Sequence, residues 1–305
     1  MSVTLKDVAR AAGYSVTTTS RALNDHADVN EETRGHIKAI ARRMGYRPNL
    51  NARQLQSKRA QALGFVIPTE AQRLNEPFFM EFLSAVASEA AQHDYDLLVS
   101  AHAPDDAEED TYRRLVQSGR VGGVLLVRVR WNDPRVALLD SLEVPCVLFG
   151  RTGDDIDCAW IDVDGEHGMR EATGHLLDLG HRRIAFITGP GHYHFVTDRQ
   201  RGYEGALRAE GHPADPQLVR AVAHMTESEG YQAARELLLL PEPPTAFLAV
   251  TDLVAVGAMR ALHEAGHRVG QDVAVVGFDG LALSAYTSPP LTTVSQPIEK
   301  IGRRL

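Results

Sequence analysis

Residues 263–267, His-Glu-Ala-Gly-His, carry the spacing of a zinc hydrolase. In that chemistry two histidines one helical turn apart hold the metal and the glutamate activates its water. An unbroken helix is required. Gly266 is a helix terminator and Val269 leads toward the next apolar run, so His267 is expected beyond the helix end. The match is read as chance. His192 and His194 form an HxH in an expected loop, a second metal candidate, with polar groups at a cleft mouth as the alternative. Cys146 and Cys158 lack CxxC spacing and imply no disulfide framework. No GxGxxG, GxxxxGK(S/T) or GxSxG occurs, and Gly189-Pro-Gly191 lacks the third glycine of a phosphate cradle. The expectation is a protein that is not an enzyme and uses no metal or cofactor.

Chemistry of another kind is written at the N-terminus. Thr4 caps Leu5–Ala12, and Asp7 three residues on completes a capping box. After the turn Gly13-Tyr14, Ser15 caps a second short helix, Val16-Thr-Thr-Thr-Ser-Arg-Ala-Leu23, closed by Asn24. Two short helices joined by a glycine-containing turn predict a helix-turn-helix, whose second helix enters the DNA major groove. Val16 can meet a thymine methyl, Thr17 a base edge or phosphate, and Arg21 a guanine in two-pronged fashion. Thr18 is left between phosphate contact and capping. The DNA-facing set is therefore Ser15, Val16, Thr17, Thr18, Arg21 and Asn24. A third helix is expected from Glu31 to Met44, with Ile37, Ile40, Ala41 and Met44 inward.

Charge supports this reading. The 305 residues carry a net charge of −8, with 44% hydrophobic and 24% charged residues. Residues 1–59, however, hold eleven Lys/Arg against five Asp/Glu. A basic head on an acidic body marks a DNA-binding module joined to a part that does not touch DNA. No apolar run approaches a membrane span, and no signal segment is read at the N-terminus. A cytoplasmic protein is expected.

The runs Thr4–Gly13 and Ser15–Asn24, with Val29-Asn-Glu-Glu-Thr33, Gly45-Tyr-Arg-Pro-Asn49 and Ala52-Arg-Gln-Leu55, resemble the lactose-repressor-type (LacI/GalR) family of bacterial transcriptional regulators. The resemblance continues toward the C-terminus. It implies base contacts in the second helix, and a hinge helix over 49–57 that folds when two copies meet in the minor groove. Leu55 would be the wedge there, with Asn51 and Arg53 beside it; an apolar side chain between base steps kinks DNA. Thr19 departs from the family, which usually places an aliphatic residue at that inward position.

From Ala62 onward, eight short apolar runs alternate with helix-length segments. They are 63–67, 97–100, 124–129, 146–149, 184–188, 219–223, 246–250 and 273–278, and the helices expected between them include roughly 78–93, 108–118, 166–179, 198–210, 228–240 and 253–265. This alternation predicts parallel sheets covered on both faces, with ligands at the C-terminal strand ends. The resemblance implies a two-lobed α/β core like that of periplasmic binding proteins. The expected division is a head at 1–48, a hinge helix and linker at 49–60, and an effector-binding and dimerisation domain at 61–305. Lobe one takes about 61–160 plus 292–305, and lobe two about 161–291.

For an effector, the resemblance implies Arg199 and Asp279 as ligand contacts. A guanidinium suits bidentate bonding, and a carboxylate accepts from adjacent hydroxyls. Phe78 and Phe79 offer stacking from the first lobe, and Thr251 and Asp252 are further polar candidates at a strand end. Where the family has an acid after the 147–149 strand, this chain has Gly150-Arg151, and Met225 stands nearest to a position some sugar-specific members fill with an aromatic. The whole implies a regulator, a repressor first, acting as a homodimer (or a tetramer) on a near-palindromic operator. Its effector would be a sugar or related polar metabolite, with a purine or no effector as alternatives. The family helix that opens at Gln296 usually runs on into further strands, so the C-terminus reads as short.

Overall fold

The computed structural model describes residues 3–46, 60–67, 76–101, 108–153 and 158–305. The chain divides into two compact units, one up to Ala60 and one from Gln61.

The head is three helices, α1 (Leu5–Ala12), α2 (Val16–Leu23) and α3 (Glu31–Arg43). The capping box at Thr4 and Asp7 is present in both directions, and Ser15 and Asn30 cap α2 and α3 through their side chains. Gly13, at φ +75°, makes the left-handed turn that ends α1. Val8, Ala12, Ala22, Val29, Ile37, Ile40 and Ala41 form the core. Thr19 is fully buried in α2, in the inward position expected from the sequence.

The larger unit holds two five-stranded sheets. The first contains β1 (Ala62–Ile67), β2 (Asp96–Ala101), β3 (Gly123–Leu126), β4 (Cys146–Phe149) and β5 (Ala159–Ile161), in the order 2-1-3-4-5. The second contains β6 (Ile184–Thr188), β7 (Val219–Ala221), β8 (Ala246–Ala249), β9 (Ala274–Asp279) and β10 (Thr292–Ser295), in the order 7-6-8-9-10. All the ladders are parallel. The second order repeats the first, so the two lobes share one topology. Each has its switch point beside its first strand, where an open α/β sheet offers a crevice at the strand ends.

In lobe one, α4 (Pro77–Gln92), α5 (Glu108–Gln117) and α6 (Pro134–Ser141) cover the sheet. Strand alternation sorts the faces: Phe65 and Leu125 pack with Phe82 and Val86 of α4, while Val66, Val124 and Leu126 pack with Tyr112, Leu115 and Leu139. In lobe two, α7 (Gly165–Asp178), α8 (His194–Ala209), α9 (Glu227–Leu238) and α10 (Asp252–Glu264) enclose β6, β8 and β9, whose apolar residues are nearly all inaccessible. The last helix, α11 (Ile298–Arg304), returns to lobe one and packs on α4.

Several expectations need correction. Ten strands are present among the described residues rather than eight, because β5 and β10 are too short and too polar or exposed to read as apolar runs. Residues 292–295 pair with β9, so they belong to lobe two; the return to lobe one starts after Ser295. β3 stops at Leu126, and Arg128 adopts φ +48°, outside any strand. α8 begins at His194, four residues before the expected start, which puts His194 on a helix instead of a loop. α6 was not anticipated. Asn51, Arg53, Leu55 and the hinge helix over 49–57 lie outside the described residues.

Candidate functional site

The C-terminal strand ends of the two lobes face each other across a narrow cleft of about 70 Å³. Phe78, Phe79, Arg128 and Phe149 line it from lobe one, and Arg199, Met225, Thr251 and Asp279 from lobe two. Five of the six residues expected to contact an effector are thus brought together.

Arg199, in the second turn of α8, is 5% exposed. Its guanidinium lies over the Phe278 ring at 3.6 Å and near Phe195 at 4.9 Å. One nitrogen, Nη1, donates to the Val250 carbonyl, and Nη2 stands 3.5 Å from Asp279 Oδ1. Its Nε is buried with no hydrogen-bond partner among the described residues. Burial lowers the guanidinium's pKa, opposed by Asp279 and other nearby carboxylates.

Asp279 ends β9 at φ +130°, a backbone conformation that a side-chain-bearing residue rarely adopts. Gln296 Nε2 donates to its Oδ1 at 2.7 Å. Burial pushes its carboxyl up to about 7, with Arg199 pulling the other way and Asp252 adding to the rise. A half-satisfied guanidinium beside a carboxyl that resists ionisation, the latter on an outlying backbone conformation, is a polar pair held ready for a third party.

Lobe one adds a group the sequence reading did not single out. Arg128 Nη2 donates to both oxygens of Glu76 at 2.8 Å, and the guanidinium sits 5.2 Å from the Phe79 ring. Burial raises the Glu76 carboxyl, which Arg128 counters. Phe78 stacks on Phe149 with ring centroids 5.9 Å apart, leaving an aromatic wall on that side. Asp162, His194 and Gln296 also line the cleft. A charged residue inside the otherwise apolar run 124–129 was the signal for Arg128; Glu76 and Gln296 gave none, because they arrive from distant segments.

Asp252 does not belong in this set. Its carboxylate is fully buried and accepts from the Leu281 amide and from the Ser284 and Thr293 hydroxyls, away from the cleft. It ties α10 to the loop after β9. Thr251 does line the cleft, and its hydroxyl caps α10 at the Val254 amide.

The metal candidates separate by geometry. α10 ends at Glu264, Gly266 turns at φ +84°, and His267 lies past the cap, so His263 and His267 share no helical face. Glu264 is held by the Tyr231 hydroxyl and by Arg260. Asp162, His194 and Asp198 do cluster within reach of one ion. Their charge is already met: Arg151 lies 2.9 Å from Asp162 and 3.3 Å from Asp198, Arg201 bonds Asp198, and His194 Nδ1 is 3.0 Å from Asp198. Two guanidiniums inside the shell oppose a cation.

In the head, Val16, Thr17 and Arg21 are exposed on α2. Ser15 caps the Thr18 amide at 3.0 Å and touches its hydroxyl at 2.8 Å, so both are engaged in starting the helix. Arg21 pairs with Asp28 at 2.7 Å across an open surface. Asn24 is the C-cap of α2, its side-chain amide donating to the Ser20 carbonyl.

A helix-turn-helix head followed by a two-lobed, periplasmic-binding-protein-like receptor defines a class, the DNA-binding regulators. Residues 4–49 match the description "Bacterial regulatory proteins, lacI family", and residues 173–305 match "Periplasmic binding protein-like domain". The HTH-type transcriptional regulator AglR of Rhizobium meliloti is 39% identical over 100% of this chain and 86% of its own length. RafR of Escherichia coli, another HTH-type transcriptional regulator, is 37% identical over 99% and 90%. Among solved structures, a transcriptional regulator CelR–cellobiose complex is 33% identical with a TM-score of 0.75, over 99% of this chain and 90% of that one. The Lac repressor dimer bound to operator and the anti-inducer ONPF superposes with a TM-score of 0.86 at 28% identity, over 100% and 90%. The chain belongs to the lacI family of bacterial regulatory proteins. It is a DNA-binding transcriptional regulator, not an enzyme.

Proposed function

We propose that the protein is a cytoplasmic homodimeric repressor whose operator affinity is set by a sugar, or a closely related polar metabolite, in the inter-lobe cleft. In this reading residues 1–48 read the major groove through Val16, Thr17 and Arg21. Ser15, Thr18 and Asn24 hold the recognition helix in shape beside the backbone. The segment 49–60, with Asn51, Arg53 and Leu55, engages the minor groove, and residues 61–305 bind the effector and pair the two copies. Twofold symmetry in the protein calls for a twofold operator. The CelR–cellobiose complex supports a sugar as the class, and the Lac repressor dimer on its operator supports the assembly.

One observation carries the effector reading: Arg199 is buried with an unpartnered Nε beside Asp279 in an aromatic-walled cleft. Hydroxyls on adjacent sugar carbons would accept from the guanidinium and donate to the carboxylate, while Phe78 and Phe149 cover an apolar ring face. An effector that prefers one lobe arrangement shifts the DNA-binding equilibrium by linkage.

The test is thermal unfolding of the full chain with mono- and disaccharides, sugar phosphates, nucleosides and purines, repeated with Arg199→Ala. A sugar at a hundredfold its dissociation constant adds about 2.7 kcal/mol, enough to raise the midpoint by several degrees. The expected result is a shift with one sugar class that Arg199→Ala abolishes. A shift that survives the substitution, or one confined to purines, overturns the assignment.

A further inference from the structure

Cys146 is the first residue of β4, and Cys158 immediately precedes β5. The parallel register pairs Val147 with Ala159, so one step back it sets Cys146 directly across from Cys158. Their sulfurs are 3.3 Å apart, both residues are half-buried, and both are free thiols. The Cys158 thiol also points at the Cys146 carbonyl, at 3.4 Å. Neighbouring strands lie about 4.8 Å apart, inside the roughly 4.4–6.8 Å separation that a disulfide bridges. A bond would require the sulfurs to close by only about 1.3 Å, which side-chain rotation can supply without moving a strand.

We propose that Cys146 and Cys158 form a reversible oxidation site, in which a peroxide converts the thiol pair into an intramolecular disulfide that staples β5 to β4. The chemistry balances with hydrogen peroxide as the oxidant. The Cys158 thiolate attacks one peroxide oxygen, breaking the O–O bond and giving a sulfenic acid and hydroxide. Cys146 then attacks that sulfur, forms the S–S bond and releases water. In sum, two thiols and one peroxide become one disulfide and two waters. Cys158 flanks the edge strand β5, whereas Cys146 lies on the inner strand β4, where burial pushes its thiol up to about 12, so the first attack falls to Cys158 and the resolving step to Cys146.

The position gives the bond something to act on. β5 has three residues, sits at the sheet edge and, among the described residues, is bonded to β4 alone. The chain leaves β5 at Ile161 and enters α7 in lobe two at Gly165, passing Asp162 and Val163 in the cleft wall. A disulfide at the foot of β5 therefore anchors one of the connections between the lobes. Disulfides inside a reducing compartment are characteristically transient and redox-sensing, which suits a pair that is reduced at rest. This proposal is independent of the effector's identity.

The experiment uses the full chain, reduced, freed of reductant and exposed to a few-fold excess of hydrogen peroxide, then quenched, denatured and alkylated. The untreated protein should take two labels. The treated protein should take none, weigh about 2 Da less, recover both labels after dithiothreitol, and yield a linked Cys146–Cys158 peptide at every protein concentration. Amide exchange at residues 159–161 should slow on oxidation. In C146S, or C146A if the serine variant does not fold, Cys158 should be trapped as a sulfenic acid that dimedone labels. Two alkylated thiols after treatment, sulfinic acid without a cross-link, a disulfide only between molecules, or a variant whose Cys158 gives no dimedone adduct would each overturn the proposal.

Discussion

Thr19 keeps its hydroxyl in the core of the head, fully buried and without a hydrogen-bond partner among the described residues. A valine has the same shape and the same β-branched constraint in a helix, and removes the orphaned polar atom. Thr19→Val should stabilise the head by about 1 kcal/mol, read as an approximately fivefold slowing of amide exchange in α2 of the intact chain. Asp279 supplies a residue-scale prediction in pH. Its folded pKa of about 7 lies above the ordinary 3.8. Between those values the unfolded chain gives up a proton that the folded chain keeps, so stability from this group is complete at low pH and is lost as pH rises through 7. Asp279→Asn keeps an oxygen for Gln296 and cannot ionise. Its denaturant midpoint should fall less between pH 5 and pH 8 than that of the wild type; equal falls would show that burial does not govern the carboxyl. That Arg199, Asp279, Phe78 and Phe79 line the cleft was legible in the sequence because a family pattern or a strand end marked them. Asp252, picked by the same logic, lies off the cleft, since a strand-end carboxylate can equally turn inward and tie loops together.

Helix packing in lobe two is set by glycines. α9 and α10 cross where Gly230 faces the Val254 carbonyl and Gly257 faces the Glu227 carbonyl. A Cβ at Gly257 would land on that carbonyl oxygen, well inside van der Waals contact, and backbone cannot rotate away as a side chain does. Gly257→Ala should therefore cost about 3 kcal/mol, and lower the thermal midpoint of the large unit by several degrees. An unchanged midpoint would mean that the helices can slide apart. Periodicity and caps located most helices of this protein because their signals are local. The glycines gave no such signal, since their reason is a partner helix far along the chain. β5 and β10 were missed for a related cause. An Ala-Trp-Ile edge and a Thr-Thr-Val-Ser run become strands only because a neighbour offers its ladder. α8 was started four residues late because Tyr193 gives its first turn no side-chain cap.

The lobes are joined by more than their connecting segments. The Trp131 indole donates to the Thr197 hydroxyl, the Trp131 amide to the His192 carbonyl and the His194 amide to the Val129 carbonyl, while the Trp131 and His194 rings pack at a tilt with centroids 4.2 Å apart. With these contacts made, the cleft is narrow, about 70 Å³. In the proposed reading an effector enters by parting this seam, which makes hinge motion part of binding. The alternation of strands and helices foretold two parallel sheets, but not which lobe owns the chain's last residues. Lobe two is contiguous from 162 to 295, and a fragment of those residues should unfold cooperatively by itself. Residues 61–161 alone should not, because α11 is missing from the face of α4, where Gly302 lies directly against Ala85 and Phe82. A cooperative 61–161 fragment would show that α11 is dispensable. The return of α11 also fixes an order of events during synthesis. The ribosome delivers lobe one first, yet its α4 face stays uncovered until residues 298–304 emerge, after lobe two is complete. The lobe begun first is thus covered only after the other has been made, and apolar surface exposed in such an interval is prone to aggregate.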